Sequence, residues 1–146
     1  MGAIKIIRDW IATFPGYEKL GDMQVDFLAP LPGSNSIAPS GLVEVSRTED
    51  IMGNYTVQNQ YNFSLFFVFY RPEGGGMETE DNAEWVLDFQ EWVQEQDIRG
   101  KIPKFGNRTI STVAQNGMLY TADGEGTGVY MVQLSVNYEK RFEVIY

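Results

Sequence analysis

Two segments of the chain alternate apolar and polar residues with the period of a β-strand. In residues 56–70 the odd positions form one nearly continuous apolar face: Val57, Tyr61, Phe63, Leu65, Phe67 and Phe69. In residues 129–138 the even positions do the same: Tyr130, Val132, Leu134, Val136 and Tyr138. Alternate residues of a strand share one face of a sheet. Both strands are therefore predicted to bury one face in a common core.

The even positions of residues 56–70 change character halfway along the strand. The first ones are polar, namely Gln58, Gln60, Asn62 and Ser64. The last ones are apolar, namely Phe66, Val68 and Tyr70. Apolar residues on both faces of a strand indicate that both faces are covered there. We expect either a helix of the same chain or a neighbouring subunit to cover this second half.

Two other segments repeat with the period of an α-helix. Residues 3–14 place an apolar set on one arc before Pro15 and Gly16 end the helix: Ile4, Ile7, Trp10, Ile11 and Phe14. A second helix, with Thr79 as its predicted N-cap and Gly100 at its end, carries a larger set: Trp85, Val86, Phe89, Trp92 and Val93. This pattern favours a helix side buried against the sheet over a ligand-binding aromatic stripe. Trp92 is expected at the rim of that side.

The remaining segments complete an α+β fold. Strands are predicted at 23–29, 42–48, 108–114 and 117–121, with a loop at 29–41 and a turn at Asn116-Gly117. The predicted order is α-β-β-β-α-β-β, which gives a mainly antiparallel β-sheet packed by two α-helices. No linker or repeat divides residues 1–146, so one domain is expected.

The net charge of −9 comes from one segment. Residues 73–97 hold nine acids and no base, whereas the rest of the chain holds eleven of each. A helical wheel places one group of these acids on a separate arc: Glu84, Asp88, Glu91 and Glu95. A basic stretch follows without an intervening acid: Arg99, Lys101, Lys104 and Arg108. This segregation is compatible with a plain solvated helix and loop or with a contact between subunits.

The composition excludes several kinds of chemistry. The chain has no cysteine and no histidine, so it lacks disulfides, thiolate nucleophiles, the usual zinc ligands and any Ser-His-Asp triad. The glycine-rich residues 124–128 precede a strand instead of a helix, which predicts a hairpin turn. Asp123 and Glu125 fall short of a calcium loop. We expect no enzyme activity, catalytic residue, metal or cofactor, and no apolar run long enough to span a membrane.

Several motifs, in order along nearly the whole chain, carry a resemblance: IKIIRDWIATFP, VDFLAP, FVFYRP, EWVLDFQEWVQEQDIRGKIP and GMLYTADGEGTGVYMVQLSVNYEK. The chain resembles small tail terminator, or tail completion, proteins of bacteriophages and prophages. Some members of that group bear a chloramphenicol-resistance label, but such acetyl transfer relies on a histidine base that this chain lacks.

The resemblance implies a homo-oligomeric ring, a hexamer, that caps the tail tube and joins it to the neck. The implied partners are a second copy of the chain, the tail tube protein and a neck or connector protein. The implied location is the virion tail, assembled in the host cytoplasm. Two alternatives stay open: a head-tail connector or neck protein of the same particle, and a small-molecule-binding domain.

Two sets of residues are candidates for sites in such a ring. The acidic arc, the basic stretch and the apolar positions Phe66, Val68 and Tyr70 are expected at the contact between subunits. DNA would pass through the hole without specific binding, and acids would repel its phosphates where bases would hold them. The acids of two predicted loops are therefore expected to face the lumen: Glu73, Glu78, Glu80, Asp81, Asp123 and Glu125.

Overall fold

The chain folds into two α-helices and a five-stranded sheet, and the α+β prediction is confirmed. The computed structural model describes residues 2–72, 76–123 and 126–144. The elements follow one another as α1 (Ala3–Ile11), a 3-10 helix (Pro15–Lys19), β1 (Gln24–Val25), β2 (Asn35–Glu49), β3 (Tyr55–Tyr70), α2 (Met77–Ile98), β4 (Arg108–Ala122) and β5 (Thr127–Phe142). Neither described helix has the length and apolar character needed to cross a membrane.

The sheet is antiparallel except at one edge. Its strand order is β1-β2-β3-β5-β4, and only the short β1 runs parallel to its neighbour β2. The central pair β3–β5 matches sixteen consecutive residue pairs, from Tyr55 opposite Phe142 to Tyr70 opposite Thr127. This long register places the two predicted apolar rows on the same face of the sheet.

Both helices lie on that face, and aromatic rings fill the space between the layers. Phe89 of α2 is fully buried, and its ring lies 5.4 Å from that of Phe14 and 5.6 Å from that of Phe67. Trp92 is half-buried as expected, and it packs on Trp10 of α1 at a centroid distance of 4.8 Å. The predicted apolar arc of the second helix is therefore its buried side.

The start of α2 and the end of α1 differ from the predicted ones. Helix α2 begins at Met77 with Gly76 as its N-cap, at a φ of 115° that favours glycine. Thr79 lies inside the first turn, and its hydroxyl oxygen is buried without a hydrogen-bond partner in the described structure. The predicted Thr79 cap is therefore wrong. Helix α1 ends at Ile11, because the turn containing Thr13 and Phe14 tightens towards the 3-10 helix.

Strand β2 begins inside the predicted loop at 29–41. Asn35 is fully buried, where its side-chain amide donates to the carbonyl of Gly21 at 2.8 Å and its Oδ1 accepts from Tyr17 at 3.1 Å. Pairing with β3 continues through Pro39, and a bulge follows at Gly41. Tertiary pairing thus overrides the turn-forming composition of this segment. The strand predicted at 23–29 shortens to Gln24–Val25.

The predicted turn at Asn116-Gly117 is a bulge inside one continuous strand. The register of β4 against β5 shifts between Gln115 and Met118, and Asn116 has a φ of 56°. A β-bulge accommodates this residue without ending the strand. Gly117 faces α2, and a Cβ added there would lie 2.6 Å from Val86 Cγ1 and still closer to Gln90 Oε1.

We expect Gly117→Ala to lower the free energy of unfolding by about 1–3 kcal/mol, because overpacking forces neighbouring side chains or backbone to move. Equilibrium urea unfolding measures the change. Gly21→Ala is the matched control, since its added Cβ would meet only the carbonyl oxygen of Gly33 at an ordinary contact distance of 3.9 Å. A Gly117→Ala protein as stable as the control would show that α2 lies farther from β4.

Candidate assembly surfaces

The acidic arc of α2 faces away from the core. Glu84, Asp88, Glu91 and Glu95 are all exposed. Within the described residues the first three form no ion pair, and Glu95 pairs with Arg99 at 3.0 Å one turn later. Acids four residues apart on a helix repel one another by a few tenths of a kcal/mol. A positive surface from another molecule would lower this repulsion.

The basic stretch begins at the C-terminal end of α2 and continues in a loop that is held against the sheet. Phe105 is buried with its ring 5.3 Å from that of Tyr61 and 5.8 Å from that of Tyr138. The amide of Asn107 donates to the carbonyl of Glu139 at 2.8 Å, and its Oδ1 accepts from the amide of Arg141 at 2.7 Å. These contacts hold the loop against β5.

The four bases of this stretch are not equivalent. Arg99 is paired with Glu95 of the same helix, and Arg108 lies 3.3 Å from Glu139. Lys101 and Lys104 are exposed and form no ion pair in the described part of the chain. Apart from the Arg99 pair, one chain does not bring the acidic arc and the basic stretch together. Both surfaces remain available to a partner.

The apolar end of the other β3 face is only partly covered. Val68 is fully buried, Phe66 is half-buried with its ring 5.5 Å from that of Tyr120, and Tyr70 is 56% exposed. Helix α2 packs on the opposite face of the sheet, so the helix alternative for this cover is wrong. The segment before β2 runs beside it, where Gly33 donates to the carbonyl of Val68.

The outer face of the sheet continues as an uncharged polar surface, of which the sequence analysis identified only the positions on β3. Its side chains join across strands in three hydrogen bonds: Gln60 to Asn137 at 3.1 Å, Ser135 to Asn62 at 2.9 Å, and Asn116 to Gln133 at 2.7 Å. The signal was present in the odd positions of 133–137, which are all uncharged and polar.

The lumen candidates fall in three places. Glu73 and Glu125 lie outside the described residues. The exposed Glu78, Glu80 and Asp81 belong to the first turns of α2, so their assignment to a loop is wrong. Asp123 follows β4, and its carboxylate accepts hydrogen bonds from the amide and the hydroxyl of Thr127 at 3.1 and 2.6 Å.

The two edges of the sheet differ in protection. On β4 the amide of Thr112 donates to Asp97 Oδ1 at 2.9 Å, and the carbonyl of Ala114 accepts from Gln90 Nε2 at 3.2 Å. Side chains of α2 thus occupy backbone groups that an edge strand otherwise offers to another chain. On β2 the residues 41–50 are all exposed.

The hairpin of β2 and β3 extends past both helices, which the sequence analysis did not anticipate. Ile51 at its tip is fully exposed, Met52 is 71% exposed, and Val45 is 50% exposed. Its helix-side face forms an open groove of about 370 Å³ lined by Leu42, Glu44, Arg47, Tyr55, Val57, Asn59 and Phe142. The sequence predicted a strand only at 42–48, so the full length of the hairpin was not anticipated.

No cluster of three or more acidic side chains in the described residues is arranged to hold a metal ion. Comparison with models of known protein families and with curated protein sequences found no match for this chain.

The hydrogen bond from the amide of Thr112 to Asp97 at the β4 edge can be tested by mutation. Asp97→Ala is expected to lower the free energy of unfolding by about 1–3 kcal/mol, because the amide of Thr112 loses its acceptor. Hydrogen exchange at the amide of Thr112 should also accelerate. The control Gln94→Ala removes an exposed side chain of the same helix. Unchanged exchange at Thr112 would contradict the contact.

Titration of Tyr138 gives a second test, at the anchor of the basic loop. Burial, followed by a hydrogen bond with Tyr61, raises the pKa of Tyr138 from 10.0 to about 12. The neutral form is favoured on folding, so its contribution is complete below about pH 10 and is lost as the pH rises through about 12. Melting temperatures should fall less steeply over this range in Tyr138→Phe than in the wild type. Tyr120→Phe, at an exposed site, should retain the wild-type slope; equal slopes in all three proteins would refute the assignment.

Proposed function

We propose that this chain is a structural protein of a phage tail or tail-like particle, in which copies form a ring that caps the tail tube and joins it to the neck. The observation that supports it most is the separation of the acidic arc from the basic stretch. In a ring each subunit meets its two neighbours through two different surfaces. Opposite charges on separate surfaces give such a contact both attraction and direction.

The assignment to a phage tail rests on the resemblance of the chain's motifs to tail terminator proteins. A hexamer, a tail tube protein and a neck protein as partners, and a lack of enzyme activity belong to this proposal. The acids Glu78, Glu80 and Asp81 are proposed to face the hole, where they would repel DNA phosphates. Phe66 and Tyr70 are proposed to meet the neighbouring subunit.

The location of the protein in a particle tests the function. Antibodies raised against the purified chain, imaged by electron microscopy on particles from cells that carry its gene, should label the tail end nearest the capsid. Label between the capsid and a separately marked terminator would favour the neck or connector alternative. Tails without label would reject the proposal.

The purified protein should also form rings with a central hole in negative-stain micrographs. A protein that stays monomeric and binds an apolar ligand in the 370 Å³ groove would instead support the small-molecule-binding alternative. Val57→Glu, in the floor of that groove, would distinguish the ring protein from the small-molecule-binding domain. If the groove binds a ligand, this substitution should abolish the binding.

Salt dependence tests the charged part of the contact. Raising NaCl from about 0.1 M to about 1 M shortens the screening length from about 10 Å to about 3 Å, so assembly should weaken. Exposed ion pairs contribute only about 0–1 kcal/mol each, so the effect is expected to be moderate. The triple variant Glu84→Gln, Asp88→Asn, Glu91→Gln should lose the salt dependence.

A triple variant with three exposed acids removed elsewhere serves as the control: Glu18→Gln, Asp22→Asn and Asp26→Asn. It should keep the salt dependence of the wild type. Sedimentation velocity at both salt concentrations measures the assembled fraction. Equal assembly of the wild type at low and high salt would show that these charges lie outside the contact.

A further inference from the structure

A second groove, of about 560 Å³, lies between α2 and the edge strand β4 and is here named the α2–β4 groove. The described residues that line it are three apolar and five polar ones: Leu87, Val113, Ala114, Gln90, Glu91, Gln94, Asp97 and Thr112. Between Leu87 and Asp97 the helix is about 15 Å long, at a rise of about 1.5 Å per residue. The volume falls within the range of small-molecule sites, about 300–1,000 Å³.

The lining of this groove carries negative charge only. Glu91 and Asp97 line it, and no lysine or arginine of the described residues does. Neither carboxylate forms an ion pair in the described part of the chain. The next cavity along β4 shares Asp97 but contains Lys104 and Arg108, so Asp97 marks the end of the negative region. A cleft lined by one sign of charge attracts a ligand of the opposite sign, which here is a cation.

The mixed lining favours one kind of cation. Glu91 and Asp97 belong to no cluster of acidic side chains in the described residues that could hold a metal ion. They lie six residues apart on α2, which is about 9 Å along the helix axis. Leu87, Val113 and Ala114 offer apolar surface in the same groove. Methylene groups between two ammonium groups would contact this apolar surface, as the stem of a lysine does, while the ammonium groups donate to the carboxylates.

A buried hydroxyl in this groove has no partner. Thr112 is 1% exposed, and its Oγ1 forms no hydrogen bond in the described structure. Thr112 stands opposite the core residue Val136, so its side chain lies on the α2 side of the sheet. Its backbone amide donates to Asp97 Oδ1 at 2.9 Å, so a ligand group that reaches Asp97 comes close to this hydroxyl. Native proteins leave few buried polar groups unpaired, because each one lowers stability. An ammonium donor would give the hydroxyl its partner.

We propose that the α2–β4 groove binds a linear alkylammonium ligand, in which a methylene chain joins two or more ammonium groups. One ammonium group donates to Asp97 beside Thr112, and a second donates to Glu91. Either a free polyamine or the lysine side chains of a peptide presents this chemistry. The inference goes beyond the proposed function and does not rest on it. Glu91 also belongs to the acidic arc, so the ligand would compete there with a basic stretch from another copy.

Isothermal titration calorimetry tests the site with two probes: spermidine, and a capped peptide in which one glycine separates two lysines. The buffer contains about 0.15 M NaCl, which screens weak attraction to scattered surface acids. The purified chain is expected to bind one ligand per chain. Tighter binding of spermidine identifies a free polyamine as the source of the ammonium groups, and tighter binding of the peptide identifies a protein. If neither probe binds, the inference is wrong.

A matched pair of double variants separates this groove from general charge attraction. Glu91→Gln with Asp97→Asn removes both charges of the groove and keeps an oxygen acceptor for the amide of Thr112. Binding should weaken by about tenfold or more, because charge-assisted hydrogen bonds are lost. The control Glu84→Gln with Asp88→Asn removes two exposed acids of the same helix that do not line the groove, and it should bind nearly as tightly as the wild type. Equal losses in the two variants would overturn the inference.

Thr112→Val tests the hydroxyl, since valine keeps the branched shape and removes the oxygen. The variant should be at least as stable as the wild type in urea, because an unpaired buried polar group is gone. Its affinity for the better probe should nevertheless fall several-fold. Wild-type affinity in Thr112→Val would contradict the placement of an ammonium group beside this hydroxyl. The titrations use purified protein and no particle, so their outcome is independent of the antibody-labelling test.

Discussion

The packing of α2 on the sheet is the constraint on which the rest of the molecule depends. Phe89 and Trp85 enter the core between Phe14, which follows α1, and Phe67 of β3, with ring centroids 4.8 to 6.0 Å apart. Burial of side chains this large contributes most of what holds the helix layer to the sheet. Once this face is fixed inward, the acids on the other side of α2 have only solvent or another molecule to face.

The position of α2 also determines what the edges of the sheet can do. Because the helix crosses β4 at Gly117, its Gln90 and Asp97 reach the outer backbone groups of that strand. The edge therefore cannot recruit another chain over Thr112 to Ala114 without displacing the helix. A contact with another chain would be left to side-chain surfaces and to the exposed part of β2.

Sequence patterns predicted the parts of the fold that depend on local periodicity. The alternating rows of β3 and β5 and the apolar arc of α2 match the buried residues, because period and burial are directly linked. The start of β2 at Asn35 and the bulge at Asn116 did not follow from local signals. Both depend on pairing with strands distant in sequence, which override turn-forming residues.

The candidate site was predictable to the same extent. The charge segregation was visible in the sequence. The helix itself places the acidic arc along its exposed side and the basic stretch at and beyond its C-terminal end. The projecting hairpin of β2 and β3 was not predicted, because its apolar residues Leu42, Val45 and Ile51 resemble ordinary strand positions until the extent of the helices is known. The exposure of a strand residue depends on whether another layer packs on it, and a local sequence pattern does not contain that information.

The net charge of −9 limits how copies can meet. A two-fold contact through α2 would place the acidic arc of one copy against the same arc of its partner, and like charges brought together oppose association. In the proposed ring the arc would instead lie beside Lys101 and Lys104 of a neighbour, which form no ion pair in the described part of the chain. Each copy of the proposed ring would then attract both neighbours, and the repulsion between the acids of α2 would be reduced at each contact.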